Sequence, residues 1–279
     1  MSALSQFLSS TCSLSGVSEL LNDDQRHDMK TTQYNRSAFT LLELILVIAL
    51  VGLLLSLLSP ALFSARQFAR TGISLSNLRL HAAAFEMYGT DAKGQAPYLV
   101  APTPALHVIR NQTHDVAVAV PYFESNVYWN IGLADTYYAG DPWSRSFRSP
   151  FRTTPISRDF PMATTYSKTC ALLASPEYFI MESRTYPPIG LRGVRLDEVV
   201  FPSKKSVLGD YATVKFGGQS PTISLIGFFD GHAARVAQVH IDDPGDGLAA
   251  FEHYGGHLLG RFQFPFLHTF AGVRGRDLD

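Results

Sequence analysis

The pattern of hydrophobic and polar positions begins with a long apolar segment. Residues 44–65 form a run of 22 residues without a charged side chain. A helix of this length extends for about 33 Å, which is enough to cross the hydrocarbon core of a membrane. A helix buried in a soluble core normally shows a polar stripe, and this run shows none. The pattern therefore predicts a transmembrane helix over residues 39–65.

The helical pattern continues beyond this segment, now with apolar side chains on one face. Spacings of three, four and seven residues place these side chains on a common face of a helix. The positions are Phe68, Leu75, Leu78, Ala82 and Phe85. They predict an amphipathic half of the same helix over residues 66–90, packed against a sheet and followed by a turn at residues 91–94.

Segments rich in β-branched residues predict strands in the remainder of the chain. The clearest candidates cover residues 116–120, 206–208, 223–229 and 233–241. Asp230-Gly231 separates the last two, and this dipeptide favours a two-residue hairpin turn with positive φ at both positions. We therefore expect an α+β fold, in which the long N-terminal helix packs on an antiparallel β-sheet within a head that covers residues 91–279.

The region 96–186 has many turn signals, and we interpret it as loops and edge strands. Four of its aromatic side chains lie close together in the sequence. They are Trp129, Tyr137, Tyr138 and Trp143. Such a group could form a platform for a sugar or a peptide. Aromatic side chains more often serve burial, so core packing is the preferred interpretation.

Composition narrows the classes of function. Charged residues make up 17% of the 279 residues, and 23 Lys and Arg against 24 Asp and Glu give a net charge of −1. Nucleic-acid binding through bulk charge is excluded, because it needs a surplus of basic side chains. The 19 Phe, 12 Tyr and 2 Trp residues can bury a sizeable core, which argues against disorder throughout. Cys12 and Cys170 are too few for a disulfide-rich scaffold.

Motifs for catalysis or metal binding are weak. The sequence contains no nucleophile elbow, P-loop or dinucleotide fingerprint, so we expect no enzymatic activity and no cofactor. His253 and His257 are four residues apart, but two glycines between them disfavour the helix that joint zinc binding would need. A cluster of three aspartates could supply oxygens to calcium, although a solvated turn is the simpler interpretation. These are Asp242, Asp243 and Asp246.

The residues that flank the apolar segment set the expected orientation. Lys30 and Arg36 precede it with no acid between them, which favours a cytoplasmic N-terminus and an exported head. Two other interpretations stay open. Residues 59–61 would suit a signal peptidase, but the apolar region is longer than the about 7–15 residues of an ordinary secretory signal. The other is a plain signal anchor in which Glu43 is incidental.

The entry of the apolar segment carries a composite motif. The small residue Ala38 precedes Phe-Thr-Leu-Leu-Glu, residues 39–43, and the uncharged run follows. A carboxylate costs roughly 2.5–3.5 kcal/mol at the centre of a bilayer and less near its edge, so Glu43 needs a partner. This arrangement resembles the processing motif of type IV pilins and type II secretion pseudopilins.

The resemblance implies a specific maturation. A membrane peptidase would cut between Ala38 and Phe39 and methylate the new amine of Phe39. Glu43 of a neighbouring subunit would neutralise this ammonium and set the register of assembly, since two buried charges cost less as a pair. Pro60 lies where these helices often carry a proline that loosens the helix. The family usually has Gly before the cut, and Ala38 is small enough to be tolerated.

The resemblance also makes residues 1–38 a leader. The first 28 residues contain four acids and one arginine, whereas a start at Met29 would give a short, basic leader of the expected kind. We therefore expect Met29 to be the true start. In that case Cys12 is absent from the folded protein and Cys170 is unpaired.

Two further segments, residues 76–98 and 199–210, are similar to bacterial prepilin-type cleavage/methylation proteins. These proteins carry a domain with a histidine, nine residues and then Asp-Gly. Asp230-Gly231 matches the dipeptide, but Ser220 stands where the histidine would be. Any role tied to that histidine is therefore in doubt.

The resemblance implies a single-pass subunit of the bacterial inner membrane with a periplasmic or extracellular head. It would assemble into a pseudopilus or pilus-like fibre of a type II secretion-like system. Its partners would be the prepilin peptidase, copies of itself or other pseudopilins, and the inner-membrane secretion platform. Two alternatives stay open. One is a membrane-anchored envelope ligand-binding protein that forms no fibre, and the other is a secreted hydrolase with an ordinary signal peptide.

Overall fold

A computed structural model describes the chain in six segments. These are residues 39–103, 106–152, 164–179, 190–210, 223–237 and 271–278. The chain divides into two compact units, Met1–Leu54 and Leu55–Asp279. Helix α1, Leu41–Asp91, contributes residues to both units. One continuous helix therefore contains residues of both helical segments that the sequence pattern predicted.

In the first unit, the described part of α1 is apolar except at Glu43. Its side chains are exposed from Leu41 to Leu54. Among the described residues, α1 is the one helix that is long and apolar enough to cross a membrane. The apolar pattern of the sequence thus predicted this helix correctly.

In the second unit, one face of α1 packs into the core. Its buried residues are Ser74, Leu78, His81, Ala82, Ala84, Phe85 and Gly89. Leu78, Ala82 and Phe85 were predicted on this face, and Leu75 is half-buried. Phe68 was predicted there too but is 72% exposed. That part of the prediction is wrong, because the packed face of α1 begins only at Ser74.

The turn predicted at residues 91–94 follows the helix. Lys93 has a φ of 55° and Gly94 a φ of 85°. The N–H of Gly94 donates to the carbonyl of Gly89 over 2.7 Å. Left-handed residues often end a helix because they let the following N–H groups satisfy its last carbonyls. The local signal at this position was therefore sufficient for the prediction.

A small ribbon and a second helix follow. Strands β1, His107–Asn111, and β2, Val116–Val120, pair in antiparallel fashion. Helix α2, Trp129–Tyr137, packs against them. The contact is a small cluster of Ile109, Val120 and Ile131. Strand β2 was predicted with these bounds, whereas α2 lies in a region that we interpreted as loops and edge strands.

The main sheet has four antiparallel strands in the order β3-β4-β5-β6. They are β3, Tyr166–Lys168; β4, Ser206–Asp210; β5, Ile223–Phe228; and β6, Ala233–Ala237. A Cβ atom at Gly227 of β5 would lie 3.4 Å from the Cβ of Leu78, so α1 packs closely on this sheet. The predicted α+β, pilin-like fold, a long N-terminal helix followed by antiparallel sheets, is confirmed.

The turn between β5 and β6 contains Asp230 and Gly231. The N–H of Phe228 donates to the carbonyl of His232 over 2.9 Å, so the loop that this bond closes has three residues, 229–231, rather than the predicted two. The N–H of Gly231 donates to the carbonyl of Phe228 over 3.1 Å. Within this turn only Gly231 has a positive φ, 81°. A turn followed by a left-handed glycine gives a three-residue hairpin loop. The N–H of Phe229 donates to the carbonyl of Lys205, 3.1 Å away.

The core of the second unit is rich in aromatic side chains. Trp129 is fully buried, and its Nε1–H donates to the carbonyl of Tyr166 over 2.7 Å. Tyr137, Tyr138 and Trp143 are each half-buried. The burial of Trp129 confirms core packing for that residue. Trp129 therefore cannot form part of an exposed ligand platform.

Candidate functional site

The candidate site lies at the beginning of α1 and starts with Phe39, whose side chain is 73% exposed. Thr40 precedes the first helical residue, and its N–H and its hydroxyl each donate to Oε2 of Glu43 over 2.9 Å. The N–H of Glu43 donates back to Oγ1 of Thr40 over 3.2 Å. The first helical hydrogen bond joins the N–H of Leu44 to the carbonyl of Thr40, 3.2 Å apart.

This arrangement is a capping box, in which a Thr and a Glu three residues later satisfy each other's free N–H groups. The capping box was not predicted from the sequence, although Thr40-Leu-Leu-Glu43 is its usual signal. The first turn of the helix also carries partial positive charge, which favours a carboxylate there. Glu43 is therefore an acid with a structural partner in its own chain, held within one helical turn of Phe39.

The apolar surface after this turn is unusually large for a globular protein. Every large apolar side chain between Leu41 and Phe63 is between 47% and 76% exposed. Soluble monomers rarely expose apolar patches beyond a few hundred square ångströms. This surface therefore requires lipid or other apolar helices around it.

A second exposed apolar stripe lies on the part of α1 that packs against the head. Ile73, Leu80 and Met87 are 53%, 52% and 58% exposed. Their spacing of seven residues places them on one face of the helix, away from the buried Leu78. The sequence pattern indicated a single apolar face here, so this stripe was missed. It can contact another apolar surface while the opposite face holds the head.

His81 fixes α1 to the head. It is fully buried, and its ring contacts the rings of Trp129 and Phe147. Its nitrogens lie 2.9 Å from the hydroxyl of Tyr138 and 2.7 Å from the carbonyl of Ser146. Burial lowers the pKa of His81 to about 4, so the ring is neutral at physiological pH.

Asp210 provides a second link between α1 and the sheet. Its buried carboxylate accepts hydrogen bonds from the hydroxyls of Ser74 and Ser149, the latter over 2.7 Å. The hydroxyl of Tyr166 donates to Oγ of Ser74 over 3.3 Å. Burial and the nearby charge of Asp210 raise the pKa of Tyr166, which keeps its phenol protonated. No motif in the sequence indicated this cluster.

The structure also places the other residues selected from the sequence. Pro60 lies inside α1, and the helix continues through it. Asp230 and Gly231 lie in the β5–β6 turn. Several other positions lie outside the described residues: Ala38, Ser220, Asp242, Asp243, Asp246, His253 and His257. Within the segments that the structure describes, no group of three or more His, Cys, Asp or Glu is placed to hold a metal ion.

Comparison with known proteins adds one finding for this site. Residues 34–59 match the prokaryotic N-terminal methylation motif, and this segment contains Phe39 and Glu43. No curated protein and no solved structure matches the chain. The motif belongs to type IV pilin-like proteins, which are structural subunits, and with the long apolar helix it indicates membrane anchoring. The motif therefore indicates a type IV pilin-like prepilin. It implies processing by a prepilin peptidase and assembly with other pilin-like subunits.

Proposed function

We propose that this prepilin is cut between Ala38 and Phe39, methylated at Phe39, and assembled through α1 into a pseudopilus or pilus-like fibre of a type II secretion-like system. The observation that carries the proposal is the combination of the methylation motif with an exposed apolar helix that starts directly behind it. Phe39, the residue that follows the proposed cut, is exposed.

Glu43 sets the register of assembly in this proposal. Cutting before Phe39 creates an ammonium at the edge of the membrane, and an isolated charge there is costly. The carboxylate of Glu43 on a neighbouring subunit offsets that cost, because a paired and hydrogen-bonded charge is tolerated better than a single one. The capping box supports this role, since it holds the Glu43 carboxylate at the first turn of α1 rather than free in the lipid.

The fibre also requires apolar contacts along α1. The exposed surface from Leu41 to Phe63 supplies them near the membrane. The stripe of Ile73, Leu80 and Met87 extends the same kind of surface along the part of α1 that packs against the head. Stacked copies or other pseudopilins would cover both surfaces, with the inner-membrane secretion platform as a further partner.

The β5–β6 turn supports a closer relationship within the family. Asp230 and Gly231 lie in a hairpin turn. They match the Asp-Gly of the cleavage/methylation proteins, in which nine residues separate a histidine from this dipeptide. Ser220 stands in place of that histidine. We therefore propose that the hairpin is shared with these proteins, and we propose no function for the position of the histidine.

The alternative is a membrane-anchored ligand-binding protein that forms no fibre. A cavity beside α1, lined by Phe85, Leu196 and Phe228 among others, has a volume of about 170 Å³. Ligand sites usually measure about 300–1,000 Å³. This cavity is therefore too small to favour the alternative.

Disulfide crosslinking between copies tests assembly. A Leu80→Cys variant places a thiol on the exposed stripe, and oxidation of native membranes should give a disulfide-linked dimer, because one thiol per copy forms one disulfide. Adding Glu43→Ala should abolish the dimer, because the partner of the Phe39 ammonium is gone. Adding Glu86→Ala, which removes an exposed acid elsewhere on α1, should leave the dimer intact. A dimer yield unchanged by Glu43→Ala, or no dimer at all, would contradict the proposal.

A further inference from the structure

Four exposed or partly exposed side chains lie at the end of the apolar run of α1 and just after it. Phe63, Arg66 and Arg70 recur at spacings of three and four residues, which places them on one face of the helix. Phe68 lies on another face of the same two turns. Phe63 and Phe68 are 66% and 72% exposed. We refer to these four residues as the basic-aromatic band.

The two arginines of the band have no acid to pair with in the described part of the chain. Neither makes a hydrogen bond or an ion pair with a described residue, whereas Arg79 donates to the carbonyl of Ala233 over 3.3 Å. Between Glu43 and Glu86, α1 carries basic charges only. Two neighbouring guanidinium groups without an acid favour an anionic ligand, and guanidinium suits a phosphate because it can donate two parallel hydrogen bonds.

The position of the band along α1 indicates what that ligand is. Leu44 to Phe63 is a helical length of about 30 Å, which equals the hydrocarbon thickness of a typical bilayer. Arg66 and Arg70 then lie roughly 5 and 10 Å further along the helix, at the depth of the headgroups. Basic and aromatic side chains are both favoured at that depth. We infer that the basic-aromatic band binds the phosphates of anionic phospholipid headgroups and fixes the depth of α1 in the membrane.

The inference also accounts for Phe68, which the sequence pattern placed in the core and the structure leaves exposed. Contact with the lipid interface would bury this ring, so packing against the head is not needed. The inference rests on the proposed membrane anchoring but not on fibre assembly.

Quenching of a fluorescent label by lipid tests the inference. The full chain with Cys12→Ser and Ala69→Cys carries a bimane at Ala69, an exposed position beside the band. Cys170 does not compete for the label, because burial raises the pKa of its thiol to about 12. The protein is placed in phosphatidylcholine vesicles that contain a minority of phosphatidylglycerol. Quenching is compared between nitroxide-labelled phosphatidylglycerol and nitroxide-labelled phosphatidylcholine.

The labelled chain should prefer phosphatidylglycerol by roughly fivefold for each arginine. Arg66→Gln with Arg70→Gln should bring the ratio close to one. Arg110→Gln is the matched control, since it removes an exposed arginine of β1, and it should leave the ratio unchanged.

Four results would overturn the inference. A ratio near one in the unsubstituted chain, or an equal loss in Arg110→Gln, would show that the band binds no headgroup. Loss of the preference when each vesicle holds a single chain would show that the arginines act between copies. Failure of the chain to stay in the vesicles after alkaline carbonate treatment would contradict the membrane anchoring itself, and with it the proposed function.

Discussion

Glu43 has one partner within its own chain and a second, proposed partner on a neighbouring subunit. Within the chain it closes the capping box with Thr40 at the helix start. In the proposed fibre it meets the ammonium of Phe39 from the next subunit, an opposite charge that the N–H and hydroxyl of Thr40 do not supply. The capping box thus holds Glu43 before assembly, and the pairing of opposite charges favours assembly.

His81 makes the stability of the head depend on pH. Its pKa of about 4 in the folded protein lies below the value of 6.5 for a free histidine. Protonation therefore favours the unfolded chain, so the contribution is complete above pH 6.5 and is lost as the pH falls towards 4. We expect the free energy of unfolding in detergent to fall by about 2 kcal/mol between pH 7.5 and pH 5 because of this residue. Urea titrations at the two pH values measure it.

Two variants separate His81 from the other histidines. His81→Gln should remove this part of the pH dependence, because glutamine does not titrate. His114→Gln replaces an exposed histidine and should retain it. An identical pH dependence in His81→Gln and the unsubstituted chain would contradict the assignment.

At the scale of elements, the segment 271–278 is tied to β4 by a buried ion pair. Nζ of Lys205 lies 3.0 Å from Oδ1 of Asp277, and neither side chain is exposed. The N–H of Ser206 also donates to Asp277, over 2.8 Å. Val273 of the same segment is fully buried. This short segment is therefore part of the core of the second unit.

Breaking this pair should be costly. Asp277→Asn leaves the Lys205 ammonium buried without its counter-charge, and we expect the free energy of unfolding to fall by about 3–5 kcal/mol. Arg274 of the same segment makes an exposed ion pair with Glu177. Arg274→Gln breaks this pair and should lower the free energy of unfolding by less than about 1 kcal/mol. Urea unfolding of the two variants gives the comparison. Equal losses would show that the buried pair does not hold the segment.

The elements differ in how well the sequence predicted them. Strand β2 and the turn after α1 were predicted because their signals are local. These are alternating Val and Ala in the strand, and the turn signal of residues 91–94, which ends in a glycine that adopts positive φ readily. Helix α2 was missed because it contains a glycine and two aromatic residues, Trp129 and Tyr137, which are weak helix formers. Its burial against α1 and the ribbon outweighs that weak propensity.

For the whole molecule, the candidate site was easier to predict than the head that follows it. The motif at Phe39 and Glu43 and the apolar run are contiguous in the sequence. The contact of Ser74 with Asp210 joins residues 136 positions apart, and no local pattern predicts such a pair. The exposed stripe of Ile73, Leu80 and Met87 was also missed. The sequence of one chain does not show which surface covers an apolar face of a helix.

Cleavage before Phe39 is tested by the N-terminal residue and the intact mass of the mature protein from native membranes. We expect a chain that starts at Phe39 with a methylated amine. Ala38→Gly, which restores the residue usual in the family, should give the same product. A chain that starts at Leu62, as a signal peptidase would leave it, or one that retains residues before Phe39 would contradict the account.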